Sequence, residues 1–156
     1  MRWVDRLIGI LREQQSLVEQ MIALLRQERE AVVSGDVSRI LSVAKRKETL
    51  STKQRLLEEA REACLKNAGK EGYTLSQLME ELAPHDRERL REAKAHLQEA
   101  LDRLLWENKR NLLLINKAME LNRELLKLFT DSVGLSYDSN GVVSTDYNGG
   151  SLEFRG

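Results

Sequence analysis

The chain has 156 residues, with 25 Lys and Arg set against 25 Asp and Glu, and so carries no formal net charge. That length supports one ordinary domain whose core needs neither disulfides nor metals, and the charge balance argues against nucleic acid as the main ligand, because neutralising phosphates takes a basic surplus on one face. A charged fraction of 32%, one proline and one cysteine, Cys64, point to long packed helices in a reducing compartment and exclude an internal disulfide framework.

The opening segment, Met1 to Arg12, is interrupted by Asp5, Arg6 and Arg12, which excludes the apolar centre of a signal peptide. The longest aliphatic run, Leu112 to Ile115, falls far short of the ~20 residues that span a bilayer. No membrane insertion is expected, and the cytoplasm is the expected compartment.

Residues 2 to 33 repeat apolar side chains at helical spacing. Val4, Leu11, Val18, Leu25 and Val32 recur every seven residues, Leu7 and Met21 interleave, and Trp3, Ile10, Leu17, Leu24 and Ala31 widen the stripe. Gln14 and Glu28 interrupt it. A helix with so wide a stripe must pack on others. Gly35 then supplies a left-handed helix end and Asp36 a cap for the next helix, and so short a linker makes the two helices antiparallel neighbours.

The second helix is predicted over 37–67, with Ile40, Val43, Leu50, Leu57 and Cys64 on one side and Lys47 and Gln54 falling in the stripe. Two glycines, Gly69 and Gly72, break the pattern. Thr74 and Gln77 read as a capping box opening a short helix to about Ala83, which Pro84 ends or kinks.

A third long helix is predicted from His85 to about Thr130. Its stripe takes in Leu90, Lys94, Leu97, Leu101, Leu104, Asn108, Asn111, Ile115, Ala118, Asn122, Leu125 and Phe129; of the four polar positions three are asparagine. After Thr130 no helical period survives, and a glycine-rich stretch follows with a transient hairpin expected at Asp138 to Gly141. The fold class is therefore all-α: an elongated antiparallel bundle of three long helices plus one short helix over 1–131, followed by a flexible tail over 132–156. The stripes suit a monomeric bundle and a homo-oligomer alike.

Catalytic chemistry finds little footing. A thiol nucleophile would need Cys64 beside His85 or His96, and neither histidine stands in a recognisable motif. These three residues are too scattered to ligate zinc. Carboxylates alternate with Lys and Arg, as from Glu58 to Glu62, in the manner of a solvated helix face. There is no phosphate loop and no dinucleotide fingerprint. No enzyme activity and no cofactor are expected. Trp3 reads as packed within or at the end of the bundle, whereas Trp106 stands off the main seam.

The asparagines carry more information. Asn108, Asn111 and Asn122 return to one side of the helix at heptad period. Buried there, they fix helix register at a cost in stability; exposed, they hydrogen-bond a bound segment.

The stretch from Asn108 to Ile115 (Asn-Lys-Arg-Asn-Leu-Leu-Leu-Ile), followed by Asn122, Leu125, Leu126 and Phe129, resembles the last helix of the FlgN family of flagellar export chaperones. Leu135, Tyr137 and Gly141 match that family's tail motif, and Lys47 and Glu48 with Leu50 fit its second helix. The resemblance spans the chain in element order and length, except at Leu152 to Gly156. It implies a bacterial cytosolic chaperone that binds hook–filament junction proteins before type III secretion, keeps them unassembled and delivers them to the export gate. In that family the C-terminal region takes the client and the tail tyrosine, Tyr137 here, bears on docking to the export-gate protein FlhA.

The expected partner-binding residues are then Asn108, Asn111, Leu112, Met119, Asn122 and Leu126 on the last helix, and Leu135, Tyr137, Gly141, Val142 and Val143 in the tail. Leu112, Met119 and Leu126 recur every seven residues beside the core seam and suit an amphipathic client helix; ordinary bundle core is the alternative for these three. If the tail folds on binding, a short ordered anchor around Leu135 to Val143 is expected and not a fully ordered tail. The competing reading of the whole chain is a structural coiled-coil adaptor that acts through homo-oligomerisation.

Overall fold

A computed structural model describes the backbone of residues 2–132, 135–137, 142–145 and 153–155, and side chains from residue 2 to 128 apart from Asn122. Four helices carry the fold: α1 (Trp3–Ser34), α2 (Val37–Asn67), α3 (Leu75–Glu81) and α4 (Pro84–Ser132). Two compact units divide the chain, residues 1–111 and 112–156, and each is described by itself.

The joint between α1 and α2 is made by local chemistry. Gly35 takes φ +70°, so that its N–H donates to the Val32 carbonyl and the Asp36 N–H to that of Ala31, satisfying two helix-end acceptors. The Asp36 side chain then accepts from the Arg39 N–H at 3.1 Å and caps α2. At α3 the capping box forms as predicted, Thr74 and Gln77 each bonding the other's backbone N–H. Arg87 closes the far end by donating to the carbonyls of Met79 and Leu82. Pro84 opens α4 instead of kinking α3. At the first helical position its missing N–H costs nothing, because that donor has no intrahelical partner.

Within residues 1–111 three apolar clusters lie along α1. Leu7, Ile8, Ile10 and Leu11 pack with Cys64 and Leu65 of α2, Leu78 of α3, and Leu90 and Ala93 of α4. Val18 and Ile22 meet Ala100, and Leu24 meets Val43 and Leu50. Residue numbers rise together along α1 and α4 and oppositely along α1 and α2, so α2 runs antiparallel to both. Each fully buried Leu or Ile contributes about 1.5–3 kcal/mol relative to exposure, so this stripe is the main source of stability for the unit. Trp3 packs against the first cluster, as expected.

The inward face of α4 differs from the prediction by one position in every other turn. Leu90, Ala93, Leu97, Ala100, Leu104, Glu107 and Asn111 form its half-buried to buried row; the predicted Leu101 is half-buried too and packs against the Val18, Ile22 and Ala100 cluster, Lys94 is half-buried beside the row, and Asn108 is exposed. Ala100 is fully buried against Val18 and Ile22 of α1. Lys94 accordingly reaches sideways, to the Ser76 hydroxyl at 3.2 Å.

In the second unit, short strands β1 (Leu135–Tyr137), β2 (Val142–Thr145) and β3 (Glu153–Arg155) pair antiparallel in that order. Leu135 lies opposite Thr145 and Tyr137 opposite Val143, while Val143 also faces Phe154. The predicted turn at 138–141 falls outside the described residues; the strands flanking it pair as a hairpin requires. The third strand was not foreseen. β-branched residues at Val142, Val143 and Thr145 favour extended backbone.

Candidate functional site

Charged and amide side chains on α1, α2 and α4 meet at one level of the first unit. Asn111 is 1% exposed. Its amide donates to the Leu25 carbonyl at 2.5 Å and to Glu28 Oε1 at 3.1 Å, and its oxygen accepts from Arg29 at 3.3 Å. Glu28 also accepts from Lys47 of α2 at 3.0 Å, so one carboxylate ties α2 and α4 to α1. Arg29 in turn donates to Glu107 at 2.7 Å, with Arg26 at 3.5 Å. The Arg29 guanidinium, assisted by Arg26, holds the Glu107 carboxyl below the usual carboxylate range against the opposing effect of burial.

This layer accounts for the sequence's interruptions. Lys47 and Asn111 each sit in an apolar stripe where Glu28, itself in the α1 stripe, accepts from both. Asn111 therefore lies inside the bundle and not on its open surface, with its amide hydrogen-bonded there, the setting in which a buried asparagine fixes register. Of the expected partner-binding residues whose side chains are described, it is the one that is buried, with three internal hydrogen bonds and 1% exposure. Asn108 is exposed, and the Asn122 side chain lies outside the described residues. Gln14, interrupting α1, is buried and donates to Glu58 at 3.2 Å.

Beyond Asn111 the character of α4 changes. Leu112 and Met119, seven residues apart, are 53% and 55% exposed. Leu126, the next position in that row, is half-buried. Leu121 and Leu128 form a second exposed pair at the same spacing, and Leu113 and Leu125 are exposed as well. Sequence reasoning identified the first row and missed the second, although its seven-residue spacing was open to inspection. Leu105 and Trp106, in the first unit, are exposed too, and the Arg110 guanidinium stacks 4.6 Å from the Trp106 ring centre. In the tail the backbones of Leu135, Tyr137, Val142 and Val143 lie in strands, while their side chains and Gly141 lie outside the described residues.

The remaining candidates have structural surroundings. Cys64 is buried, its thiol donates to the Trp3 carbonyl at 3.4 Å, and burial pushes its pKa up, which disfavours the nucleophilic thiolate. His85 and His96 are exposed on α4. At the start of α1 and α4, Arg2, Asp5, Asp86 and Arg89 form a closed ring of ion pairs, Arg2 to Asp86 at 2.7 Å and Arg89 to Asp5 at 2.8 Å. Among the described residues no helix is long and apolar enough to cross a membrane.

The family model described as FlgN protein matches residues 1–145. No curated protein and no solved structure matches the chain. Because that match runs from the first residue through the second tail strand, the chain belongs to the FlgN family.

Proposed function

We propose that this member of a flagellar export chaperone family binds hook–filament junction proteins in the cytoplasm, keeps them unassembled and delivers them to the type III export gate. The observation that carries the reading is the pair of exposed heptad rows on α4, Leu112 with Met119 and Leu121 with Leu128. A helix apolar on more than one side needs cover. An amphipathic helix of a client is a natural cover, and occupying the client's own assembly surface keeps it from polymerising. The tail motif supports gate docking, with Tyr137 the residue assigned to FlhA.

The test is co-expression of the chain with a junction protein. Full-length chain is expected to hold the client in a soluble complex. Replacing Leu112 and Met119 by Asp removes two apolar contacts, each worth about 1.5–3 kcal/mol, and adds charge, so the complex is expected to weaken by at least about 100-fold. Truncation after residue 131, or Tyr137→Ala, is expected to cost gate binding. Undiminished client capture by the Leu112→Asp/Met119→Asp variant overturns the site. If truncated chain instead retains every interaction and only self-associates, the adaptor reading replaces the chaperone one.

A further inference from the structure

Trp106 is a large side chain that neither the packing of the bundle nor the proposed function employs. It lies on α4 within the first unit and is 57% exposed, although an aromatic ring of that size stabilises a protein by being covered. One turn on, the Arg110 guanidinium stacks 4.6 Å from the ring centre. Stacking occupies the flat face of a guanidinium and leaves its N–H edge free to donate two parallel hydrogen bonds. No carboxylate takes them: Arg110 has no ion-pair partner among the described residues, and neither has Lys109 beside it. Both are exposed. Lys109 and Arg110, three and four residues after Trp106, are its neighbours on the helix surface.

The surrounding charge defines what can cover this spot. The chain as a whole is balanced, yet from residue 103 to residue 111 α4 carries Arg103, Lys109 and Arg110 against one carboxylate, Glu107. Glu107 is 6% exposed and already accepts from Arg29 and Arg26. Arg103 is matched by Glu19 of α1 at 3.6 Å, and Asp102, one turn before the ring, accepts from Gln98 and bounds the basic spot on that side. Two exposed cations without counter-ions therefore flank an uncovered ring. A nucleic acid requires a longer row of cations, and an anionic membrane requires an apolar face that runs along a helix. One ring with two cations suits a short acidic segment carrying one apolar side chain.

We infer that Trp106, Lys109 and Arg110 form a docking spot for a short acidic segment of another protein. An apolar or aromatic side chain of that segment covers the Trp106 ring, and a neighbouring carboxylate accepts from the N–H edge of Arg110, with Lys109 as the second cation. The spot uses none of the residues assigned to the junction proteins or the export gate and does not rest on that reading.

The experiment uses full-length chain and short labelled peptides, with binding read by fluorescence anisotropy. One peptide sets glutamates around a phenylalanine, a second sets glutamates around a serine, and a third sets lysines around the phenylalanine. The first alone supplies both contacts, so it binds at least about tenfold more tightly than either of the others, and its affinity falls as salt rises. Trp106→Ala and Arg110→Ala each weaken it by about tenfold or more. Arg110→Lys keeps the charge without the planar fork and does not restore it. Both positions are exposed, so the free variants melt as wild type does. Lys45→Ala removes one exposed charge from α2 and leaves binding unchanged. Equal affinity for the phenylalanine and serine peptides, or equal losses in Arg110→Ala and Lys45→Ala, overturns the spot. Tighter binding of phosphatidylglycerol vesicles or of single-stranded DNA than of the first peptide, lost in the same variants, overturns an acidic protein segment as its occupant.

Discussion

Replacing Asn111 by Ala tests whether the polar layer sets the stability and register of the first unit. The side chain makes three hydrogen bonds, to the Leu25 carbonyl, to Glu28 and from Arg29. A net hydrogen bond contributes about 0.5–1.5 kcal/mol, and one to a charged group about 1.5–3 kcal/mol. Glu28 retains Lys47 and Arg29 retains Glu107 after the change, so those two losses count at the low end. The expected destabilisation is about 4 kcal/mol, about 1.5 from each of those two and about 1 from the bond to the Leu25 carbonyl, which at this chain length lowers the melting temperature by roughly 8–16 °C. Urea unfolding followed by circular dichroism measures it, with Asn108→Ala, an exposed neighbour, as the control expected within about 0.5 kcal/mol. A double-mutant cycle of Asn111→Ala with Glu28→Ala should return a coupling of about 0.5–3 kcal/mol. If Asn111→Ala is as mild as the control, or the coupling is zero, the layer does not hold the helices and the argument from it fails.

Two further outcomes follow from the same packing. Leu7→Ala, at a position with no exposure, is expected to cost about 3–4 kcal/mol, whereas Leu105→Ala, 67% exposed, should change stability by less than about 0.5 kcal/mol; similar costs for the two would mean the inward face of α4 is wrongly assigned. Acid should destabilise the bundle in a defined window. Arg89 and Arg2 hold Asp5, Arg2 and Arg89 hold Asp86, and Arg29 holds Glu107 below the ordinary carboxylate range. Because their folded pKa values lie below the unfolded ones, the stability they add is present at neutral pH and is lost as pH falls through the folded values. An Asp5→Asn/Asp86→Asn chain should therefore be less stable than wild type at neutral pH and show a flatter acid limb in pH-dependent melting; an unchanged acid limb counts against the ring of ion pairs.

The amino-acid sequence by itself determined the helical class, the α2 bounds at Val37 and Asn67, the cap at Asp36, the left-handed end at Gly35 and the Thr74–Gln77 box. These depend on contacts within a few residues, where side-chain chemistry and backbone conformation are tied directly. It also pointed to the exposed row of Leu112 and Met119, because a stripe wider than one seam is visible as periodicity. Only the tertiary structure decided which flank of that stripe turns inward. Ala93, Ala100 and Glu107 lie inward although a reading by hydrophobicity favours Leu101 over Ala100 and never selects Glu107. Ala100 meets Val18 and Ile22 of α1, and a carboxylate is tolerated where Arg26 and Arg29 converge on it from another helix. The meaning of Asn111 was decided in the same way: one asparagine serves a bound partner or a neighbouring helix equally well until the groups within 3.5 Å of its amide are known, and those groups come from residues more than eighty positions away in the chain.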